Sequence, residues 1–414
     1  MRKTKIICTL GPAVDNPDIL EKLMLAGMDV ARINFSHGNY EEQQDRIERV
    51  KEVRKRVNKP ISLLLDTKGP EIRIGKFAND EIVLENGDVF TLTNEDILGN
   101  KTKVSITYKN LYNEVQIGTK ILINDGTIET IVKKIDGKDI ICEVINGGKL
   151  TNRKSINIPG MNINLPSITQ KDIDDIKFGI IAGFDYIAAS FVRKPEDVLA
   201  IRKILEENDG THIKIISKIE NREGINNFDK ILEVSDGIMV ARGDLGVEIP
   251  MEEVPVRQKE FISKCAKAGK PVITATQMLE SMILNPRPTR AEVSDVANAI
   301  YDMSTSIMLS GESATGIYPI ECVKTMAKIS ETIEDSIKYW KRFKNKEYAK
   351  ENKDLEYSLN YSTCTTAMEL NAKAIFAYTN TGRTATMLAG FFPQCPIYII
   401  TDINWFGKIK LKFF

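Results

Sequence analysis

The sequence predicts an α/β fold: a (β/α)8 barrel of the TIM type that carries a small inserted β-domain and is followed by a smaller α/β unit. Three observations support this prediction. Short runs rich in β-branched residues alternate with helical patterns, as in the βα units of a parallel sheet. The alternation is interrupted once, by a segment with hairpin turns. A strand-helix-strand pattern then follows a lysine-rich stretch.

Eight runs predict the strands of the barrel. They are residues 4–8, 30–35, 61–65, 186–191, 213–219, 237–241, 272–275 and 306–309. Amphipathic patterns such as 41–57 and 256–268 lie between several of them and end at a Gly, Asn or Pro signal, which is typical of helices. Eight βα units in succession predict a closed barrel.

The inserted segment lies between the third and fourth predicted strands. It contains the alternating runs EIVLENGDVFTLT and KILINDGTIETIVKKIDGKDIICEVINGG, in which Asn-Gly, Asp-Gly and Gly-Gly pairs mark hairpin turns. We therefore expect a small β-barrel domain on one loop of the large barrel. The expected division is 1–69 and 166–337 for the (β/α)8 barrel, 70–165 for the inserted domain and 338–414 for the last unit.

The last unit begins with a polar, lysine-rich stretch, KYWKRFKNKEYAKENKDLE, which predicts an exposed helix or a linker. Beyond it, the patterns predict helices at 363–371 and 384–390 and strands at 373–378 and 396–401. The tail GKIKLKFF alternates basic and apolar residues, so it could pair as an edge strand. The alternative is a frameshifted or truncated gene product whose tail has no evolved role.

Composition narrows the function classes. Lys plus Arg is 57 and Asp plus Glu is 57, so no overall charge favours nucleic acid or an anionic membrane, and we expect small-molecule partners. The sequence shows neither a secretory signal nor the roughly 20 apolar residues of a membrane span. Six cysteines without metal-ligand spacing predict a reduced, cytoplasmic protein. With two histidines, proton transfer and metal binding must depend mainly on carboxylates, lysines, hydroxyls and water.

Polar and charged side chains follow seven of the eight predicted strands. In a barrel of this type, the active site lies at the carboxyl ends of the strands. Each of these residues alone could be an ordinary solvated or paired side chain. Together they indicate a phosphate and metal site, since substrate or metal would offset the desolvation of so many polar groups at one mouth. The residues are Arg32, Asn34, Ser36, His37, Asp66, Thr67, Lys68, Ser190, Arg193, Lys218, Glu220, Arg242, Gly243, Asp244, Thr274, Thr276, Gln277, Ser310 and Glu312.

Seven longer motifs give these residues a context. They are, in order, MDVARINFSHG, LDTKGPEIR, ISKIEN, MVARGDLGVEIP, ATQMLESM, PRPTRAEVSDVANA and MLSGESATG. They resemble the successive signatures of the pyruvate kinase family over residues 1 to about 330, and the inserted β-domain and the last unit stand at the family's places. The resemblance implies a phosphotransferase of glycolysis that moves the phosphoryl group of phosphoenolpyruvate to ADP, giving pyruvate and ATP.

The resemblance also implies where the metal and the phosphoryl group bind. Glu220 in KIEN and Asp244 in RGDLG match the family's Mg²⁺ (or Mn²⁺) ligands, and two carboxylates suit such a hard cation. Lys218 matches the lysine beside the transferred phosphoryl group, and Arg32 matches the residue that holds the phosphate from the other side. The alternative for the carboxylates is an ordinary ion pair with Lys218 or Arg242.

Thr276 in ATQMLES matches the threonine near the carbon that is protonated. Since a threonine is a poor acid, we expect it to orient a water or a proton relay. Gly243 and Asp244 are expected to offer backbone amides to the substrate carboxylate. The residues that the resemblance places near the nucleotide are Arg73, Lys154, His37 and Asn34.

The resemblance implies a potassium site as well. Its all-oxygen set is Asn34, Ser36, Asp66 and Thr67. Ser36 and Thr67 could equally form turns or helix caps. Glu71 occupies the position where potassium-independent relatives tend to carry Lys, so we expect K⁺ dependence.

For assembly and regulation, the resemblance predicts a homotetramer and, as in regulated relatives, activation by a sugar phosphate. The turn TNTGRTA resembles the loop that holds the effector's phosphate. Because family members continue beyond PIYIITD with further strands and helices, we expect an incomplete C-terminal α/β domain, an impaired tetramer and weakened activation. The barrel and the inserted domain are expected to form a complete catalytic site without it.

Two other functions are open from the sequence alone. A metal-dependent aldolase or lyase that handles pyruvate enolate on the same barrel would share much of the chemistry, but would need neither the inserted domain nor the Arg73 motif. A catalytically impaired, truncated fragment would keep the fold without turnover. Conversion of ADP to ATP in the presence of phosphoenolpyruvate and Mg²⁺ distinguishes the kinase from both alternatives.

Overall fold

A computed structural model of the protein describes residues 2–161, 163–345, 355–380 and 382–400. No helix within these ranges is both long and apolar enough to cross a bilayer. In chain order, the strands are β1 (Lys5–Thr9), β2 (Val30–Asn34), β3 (Ser62–Asp66), β4 (Ile72–Arg73), β5 (Glu81–Leu84), β6 (Val89–Thr93), β7 (Lys103–Ser105), β8 (Lys120–Ile123), β9 (Ile128–Asp136), β10 (Asp139–Asn146), β11 (Gly148–Thr151), β12 (Ser155–Asn157), β13 (Tyr186–Ala189), β14 (Lys214–Ile219), β15 (Gly237–Ala241), β16 (Val272–Ala275), β17 (Ser306–Leu309), β18 (Ile375–Tyr378) and β19 (Ile397–Ile400).

The helices predicted at 41–57, 256–268 and 384–390 are found to within two residues at each end, whereas the helix predicted at 363–371 begins earlier, at Leu355. In chain order the helices are α1 (Pro17–Ala26), α2 (Tyr40–Arg56), α3 (Gln170–Ala182), α4 (Pro195–Glu207), α5 (Arg222–Asn226), α6 (Phe228–Val234), α7 (Arg242–Glu248), α8 (Val254–Ala268), α9 (Arg290–Tyr301), α10 (Gly311–Ala314), α11 (Pro319–Ser336), α12 (Tyr339–Asn345), α13 (Leu355–Glu369) and α14 (Arg383–Gly390). Capping residues fix several starts: Asn39 caps α2, and capping boxes at Thr169 and Thr289 begin α3 and α9.

Eight parallel strands close into a barrel in the order β1-β17-β16-β15-β14-β13-β3-β2. They agree with the eight predicted strands to within two residues at each end, so the predicted barrel is confirmed. The largest difference is at β13, which ends at Ala189 instead of residue 191. The chain turns there, because Phe191 has a left-handed backbone with φ of 56°.

The interior of the barrel is packed with side chains. One buried cluster draws on all eight strands and contains Ile7, Val30, Leu64, Tyr186, Ala188, Ile216, Met239, Ile273, Ala275 and Met308. A larger cluster lies between the strands and the surrounding helices. Alternate residues of each strand fill these two layers, so no passage runs through the barrel. Polar side chains are therefore found at its mouth, beyond the carboxyl ends of the strands.

The inserted segment folds as a small β-barrel with its own core. Seven strands form a sheet in the order β4-β12-β8-β9-β10-β6-β7, and β5 pairs with β11. A bridge between Ile74 and Ile106 joins the two edges of the sheet, with Gly75 N donating to Ser105 O over 2.7 Å. Its buried cluster includes Phe90 and Ile121 and is separate from that of the large barrel. The inserted segment therefore contains the antiparallel hairpins that its sequence pattern predicts.

Polar contacts fix both connections between the two barrels. On the outgoing side, Gly69 N donates to Asp172 Oδ1 over 2.9 Å. On the returning side, Arg193 donates to the carbonyl oxygens of Ile163 and Leu165 over 2.9 and 2.8 Å. Arg193, one of the polar residues after the fourth predicted strand, thus anchors a connection.

The last unit is a parallel β18–β19 pair packed against α14, which packs in turn against α13. Its core includes Phe343, Cys364, Leu388 and Phe391. The lysine-rich stretch contributes α12, whereas residues 346–354 and 401–414 lie outside the described residues, as does the edge strand considered for the tail. A cavity of about 420 Å³ separates this unit from the amino-terminal end of the large barrel.

Candidate active site

Two cations share one buried carboxylate at the barrel mouth. Asp66, the last residue of β3, accepts a hydrogen bond at Oδ2 from Arg32 Nε over 2.8 Å, and its Oδ1 lies 3.3 Å from Lys218 Nζ. Asp66 is 1% exposed, and Arg32 and Lys218 are each 8% exposed. Arg32 Nη1 also donates to Thr9 Oγ1 over 2.7 Å. Strands β2 and β14, on either side of β3 with β13 between β3 and β14, thus hold the guanidinium and the ammonium group on the two oxygens of one side chain.

Residues after β13 and β14 extend this network. Ser190 Oγ accepts from Lys218 Nζ over 2.8 Å and donates to Thr67 O over 2.6 Å. Glu220 Oε1 lies 2.9 Å from Lys218 Nζ, and Glu220 Oε2 accepts from Phe191 N over 2.6 Å. Phe191, whose amide bonds this carboxylate, has a left-handed backbone.

Burial and neighbouring charges act in opposite directions on these groups. Burial by itself lowers the pKa of Lys218, but Asp66, Glu220 and Asp244 outweigh it and raise that pKa above its usual value. Burial disfavours ionised Asp66, but Arg32 and Lys218 keep its pKa below the usual range. Burial raises the pKa of Glu220, and Asp244 adds to the rise while Lys218 opposes it. A further cation near Glu220 would stabilise its ionised form.

Glu220 and Asp244 are suited to a divalent cation. Glu220 is 1% exposed, and its Oε1 contacts Lys218 as an ion pair without hydrogen-bond geometry, so this buried oxygen can accept a cation. Asp244, in α7, lies close enough to raise the pKa of Glu220. The part of the chain that the structure describes holds no cluster of three or more His, Cys, Asp or Glu suited to a metal. Two carboxylates would leave the other positions of Mg²⁺ to substrate oxygens and water.

The ordinary ion pairs considered from the sequence are only partly found. Glu220 pairs with Lys218, whereas Arg242 pairs with Asp295 on α9 over 2.7 Å. Asp244 is thus left at the mouth, where it lines a cleft beneath the inserted domain.

Strand β16 ends in a strained turn beside α7. Thr276 and Gln277 have φ of 67° and 53°, and a left-handed backbone is a genuine outlier for a β-branched residue. The turn places Thr276 Oγ1 2.8 Å from Gly243 N, which donates to it, and the hydroxyl donates to Ala275 O over 2.6 Å. Since such strain concentrates at functional sites, the turn supports a role for Thr276.

The residues expected to bind K⁺ lie together at the ends of β2 and β3. Asn34 and Asp66 are paired in register, and Thr67 follows Asp66. Ser36 N donates to Asn34 Oδ1 over 3.0 Å. The set is entirely oxygen, although both carboxylate oxygens of Asp66 already contact the cations described above. A monovalent cation would have to share this carboxylate.

A cleft of about 160 Å³ lies between the small barrel and the mouth of the large one. Arg73 and Glu71 line it, with Arg73 Nη2 lying 2.5 Å from Glu71 Oε2. Asn157 Nδ2 of β12 donates to Glu248 Oε1 of α7 over 2.9 Å, which ties the inserted domain to the helix that carries Asp244. The cleft therefore joins the inserted domain and the barrel mouth in one concave surface.

Three of the four residues expected near the nucleotide, Lys154, His37 and Asn34, do not line this cleft. Lys154 is next to Arg73, because Ser155 of β12 pairs with Arg73 of β4, but it does not line the cleft in the described structure. His37 is exposed just before α2, and its carbonyl accepts from Gln43 Nε2 over 2.6 Å.

Some strand-end residues are structural. Glu312 is 2% exposed and accepts from the backbone amides of Leu279 and Ser310 over 3.1 and 2.7 Å. Thr274 is buried and shares a hydrogen bond with Ser304 over 2.7 Å. The position of a polar residue at or after the end of a barrel strand is therefore not enough to assign that residue to the active site.

Other contacts of the site were not predicted from the sequence. Ser190 follows a strand, but its bridge between Lys218 and Thr67 depends on the fold. The Asn157–Glu248 contact joins residues 91 positions apart, and local sequence carries no signal for it.

Comparison with known proteins is consistent with this geometry. The family model for the pyruvate kinase barrel domain matches residues 1–323, and that for the pyruvate kinase alpha/beta domain matches residues 358–405. Pyruvate kinase of Clostridium acetobutylicum is 52% identical over 402 residues, which are 97% of this chain and 85% of that protein. Those of Staphylococcus epidermidis and Staphylococcus aureus are 53% and 51% identical over 97% of this chain and 68% of their own length. The chain belongs to the pyruvate kinase family of phosphotransferases.

Proposed function

We propose that the chain transfers the phosphoryl group of phosphoenolpyruvate to ADP, giving pyruvate and ATP, at the mouth of its large barrel. The observation that carries this site assignment is the buried network in which Arg32 and Lys218 share Asp66 while Lys218 also contacts Glu220. It concentrates two cations and a metal-competent carboxylate in one place. Phosphoryl transfer depends mainly on such positioning and charge stabilisation.

The network residues have distinct roles in the first step. Arg32 presents a planar guanidinium, which can bind phosphate oxygens in pairs. Lys218 neutralises charge on the migrating phosphoryl group and on the enolate oxygen left behind. Because Asp66 holds both cations in place before substrate binds, little reorganisation is needed. Mg²⁺ or Mn²⁺ held by Glu220 and Asp244 would supply a Lewis acid for the same oxygens.

The second step protonates the enolate at its methylene carbon. Thr276 orients the water or relay that delivers the proton, since its hydroxyl is itself a poor acid. The backbone amides of Gly243 and Asp244 hold the substrate carboxylate. In this arrangement the Gly243 amide exchanges its bond with Thr276 Oγ1 for one with the substrate.

We assign the role of a lid to the inserted domain, residues 70–165, above a barrel of residues 1–69 and 166–337; residues 338–414 form the remaining unit. Closure over the nucleotide would exclude water that otherwise hydrolyses the phosphoryl group. Arg73 would leave Glu71 and bind the nucleotide phosphates. The other residues proposed to approach the nucleotide are Lys154, His37 and Asn34.

The unaltered chain provides the direct test of this function. Phosphoenolpyruvate, ADP, Mg²⁺ and K⁺ are expected to give ATP and pyruvate in equal amounts, measured by coupled assays. Failure to form ATP would refute the proposal, and metal-dependent carbon–carbon cleavage or condensation without ATP would favour the aldolase or lyase. We further propose a cytoplasmic location and an impaired homotetramer, which fractionation and sedimentation velocity test.

Metal binding gives a prediction that is independent of turnover. Glu220→Gln is expected to weaken Mn²⁺ binding by about tenfold or more, because the amide removes one of two charged ligands. Binding is measured by electron paramagnetic resonance of free Mn²⁺, with Glu206→Gln, on the exposed face of α4, as the matched control. Unchanged Mn²⁺ affinity in Glu220→Gln would remove Glu220 from the metal site.

We also propose that Asn34, Ser36, Asp66 and Thr67 hold K⁺. Glu71→Lys is expected to reduce K⁺ dependence, because a tethered ammonium would take the place of the free cation. The same variant is expected to raise the KM for ADP, since Glu71 pairs with Arg73 and a lysine would repel it. Both effects are measured by titrating activity with KCl at constant ionic strength.

The control for this prediction is Glu81→Lys, which makes the same charge change at an exposed position on β5. It is expected to leave the K⁺ titration unchanged. If the unaltered enzyme is equally active in K⁺-free, Na⁺-free buffer containing a large organic cation, the assignment of the potassium site is wrong.

A further inference from the structure

The strained turn after β16 needs something to hold it. Thr276 and Gln277 are consecutive left-handed residues, and neither is glycine. A β-branched threonine disfavours this backbone, so the turn persists only where surrounding contacts over-determine it. The hydrogen bond between Gly243 N and Thr276 Oγ1 constrains the side chain rather than the carbonyl groups.

Arg242 supplies contacts to those carbonyl groups. Its Nη2 donates to Thr276 O over 2.7 Å and to Gln277 O over 3.2 Å. The carbonyls of two consecutive left-handed residues thus accept from one nitrogen. The guanidinium therefore binds the two carbonyl groups whose orientation would change if the turn relaxed to negative φ.

Asp295 orients this guanidinium from the opposite side. Arg242 Nη1 donates to Asp295 Oδ1 over 2.8 Å and lies 2.7 Å from Asp295 Oδ2. The side chain of Arg242 is 11% exposed, so solvent screens these contacts only partly. A planar fork can reach the aspartate and the two carbonyls together, which a single ammonium group cannot do in the same geometry.

We propose that Arg242 is a positioning residue for the protonation step: held by Asp295, it keeps the Thr276–Gln277 turn left-handed and so keeps the Thr276 hydroxyl beside Gly243. Arg242 itself need not touch the substrate. The proposal rests on the proposed function, because it assumes that Thr276 acts on the enolate. It also makes a structural claim about the turn that stands without turnover.

The kinetic test uses Arg242→Lys, which keeps the charge but loses the fork. We expect kcat to fall about 10²-fold, as for a small misplacement of a reacting group, while the KM for ADP stays within about threefold because the nucleotide contacts are untouched. Exchange of pyruvate methyl protons with deuterium in solvent, which reverses the protonation step, is expected to fall in parallel. A kcat near that of the unaltered enzyme, or exchange that stays normal while kcat falls, would overturn the proposal.

Arg202→Lys is the matched control. Like Arg242, Arg202 donates to an aspartate (Asp236) and to a backbone carbonyl (Val234 O). These partners precede β15, at the end of the barrel opposite the mouth. This control is expected to keep its kcat and its methyl-proton exchange. An equal loss in both variants would assign the effect to general stability and overturn the proposal.

Two further measurements are independent of that comparison. In Arg242→Ala, millimolar free guanidinium is expected to restore turnover about tenfold, because it can fill the vacated fork, and the double variant with Asp295→Asn should not respond. A crystal structure of Arg242→Ala is expected to show Thr276 at negative φ. Retention of the left-handed turn there would refute the structural claim. Failure of the unaltered enzyme to form ATP would instead refute the proposed function.

Discussion

Replacement of Lys218 by methionine is expected to lower kcat by about 10³-fold or more. Loss of one preorganised oxyanion donor typically costs about 10²–10³ in rate, and Lys218 faces both the phosphoryl group and the enolate in the proposed mechanism. Methionine has a similar length and no polar group, so it can fill the buried space without a new unsatisfied donor. Arg32 continues to pair with Asp66, so the folded mouth is expected to persist.

The measurement combines steady-state ATP formation with urea unfolding and Mn²⁺ binding. Removal of Lys218 leaves the buried Glu220 without its ion-pair partner, so we expect some loss of unfolding free energy. The variant is expected to stay folded without urea and to bind Mn²⁺ nearly as the unaltered enzyme does. Lys259→Met is the matched control, because Lys259 also pairs with an aspartate, Asp302, but on the exposed surface. It should leave kcat unchanged. A Lys218→Met variant with turnover within tenfold of the unaltered enzyme would exclude Lys218 from the mechanism.

Asp66→Asn is expected to have the second large effect, on stability and turnover together. The amide would leave the buried cations of Arg32 and Lys218 without their shared counterion. Breaking a buried ion pair by removing one partner costs about 3–5 kcal/mol. Because both phosphate-binding groups would shift, kcat is expected to fall by about 10²-fold or more. Urea unfolding and ATP formation measure the two effects.

The stability effect has a defined pH dependence. Arg32 and Lys218 hold the pKa of Asp66 below its usual value, despite the opposing effect of burial. Ionised Asp66 therefore contributes its full stabilisation above the unfolded-state pKa of an aspartate, about 3.9. That stabilisation is lost as the pH falls through the lower pKa that Asp66 has in the folded protein. The difference in unfolding free energy between the unaltered protein and Asp66→Asn should narrow below about pH 4. A gap that widens in acid would contradict the assigned ion pairs.

Asp29→Asn serves as the control for turnover. Asp29 also pairs with an arginine, Arg2, and accepts from Ile6 N over 2.8 Å, but it lies just before β2, at the opposite end of the barrel. We expect Asp29→Asn to lose stability while the folded fraction keeps its kcat. An equal loss of kcat per folded molecule in the two variants would show that Asp66 acts only through stability.

The sequence by itself determined the elements and their order. All eight barrel strands lie within two residues of their predicted positions, and the inserted hairpins and the final strand-helix-strand unit occur where the patterns place them. These signals are local, because β-branched runs, turn pairs and capping residues act over a few positions. The motifs also gave the candidate residues, since the carboxyl ends of parallel strands must meet at one mouth.

Only the tertiary structure decided which of these residues meet. Asp66 and Lys218 are 152 positions apart in the sequence. Closure and register of the barrel place Lys218 between the carboxylates of Asp66 and Glu220. The left-handed backbones of Thr276 and Phe191 could not be predicted from residue type, because β-branched and aromatic residues disfavour positive φ. Long-range contacts such as that of Arg242 with Thr276 O impose these conformations, and such contacts form only once the whole barrel has closed.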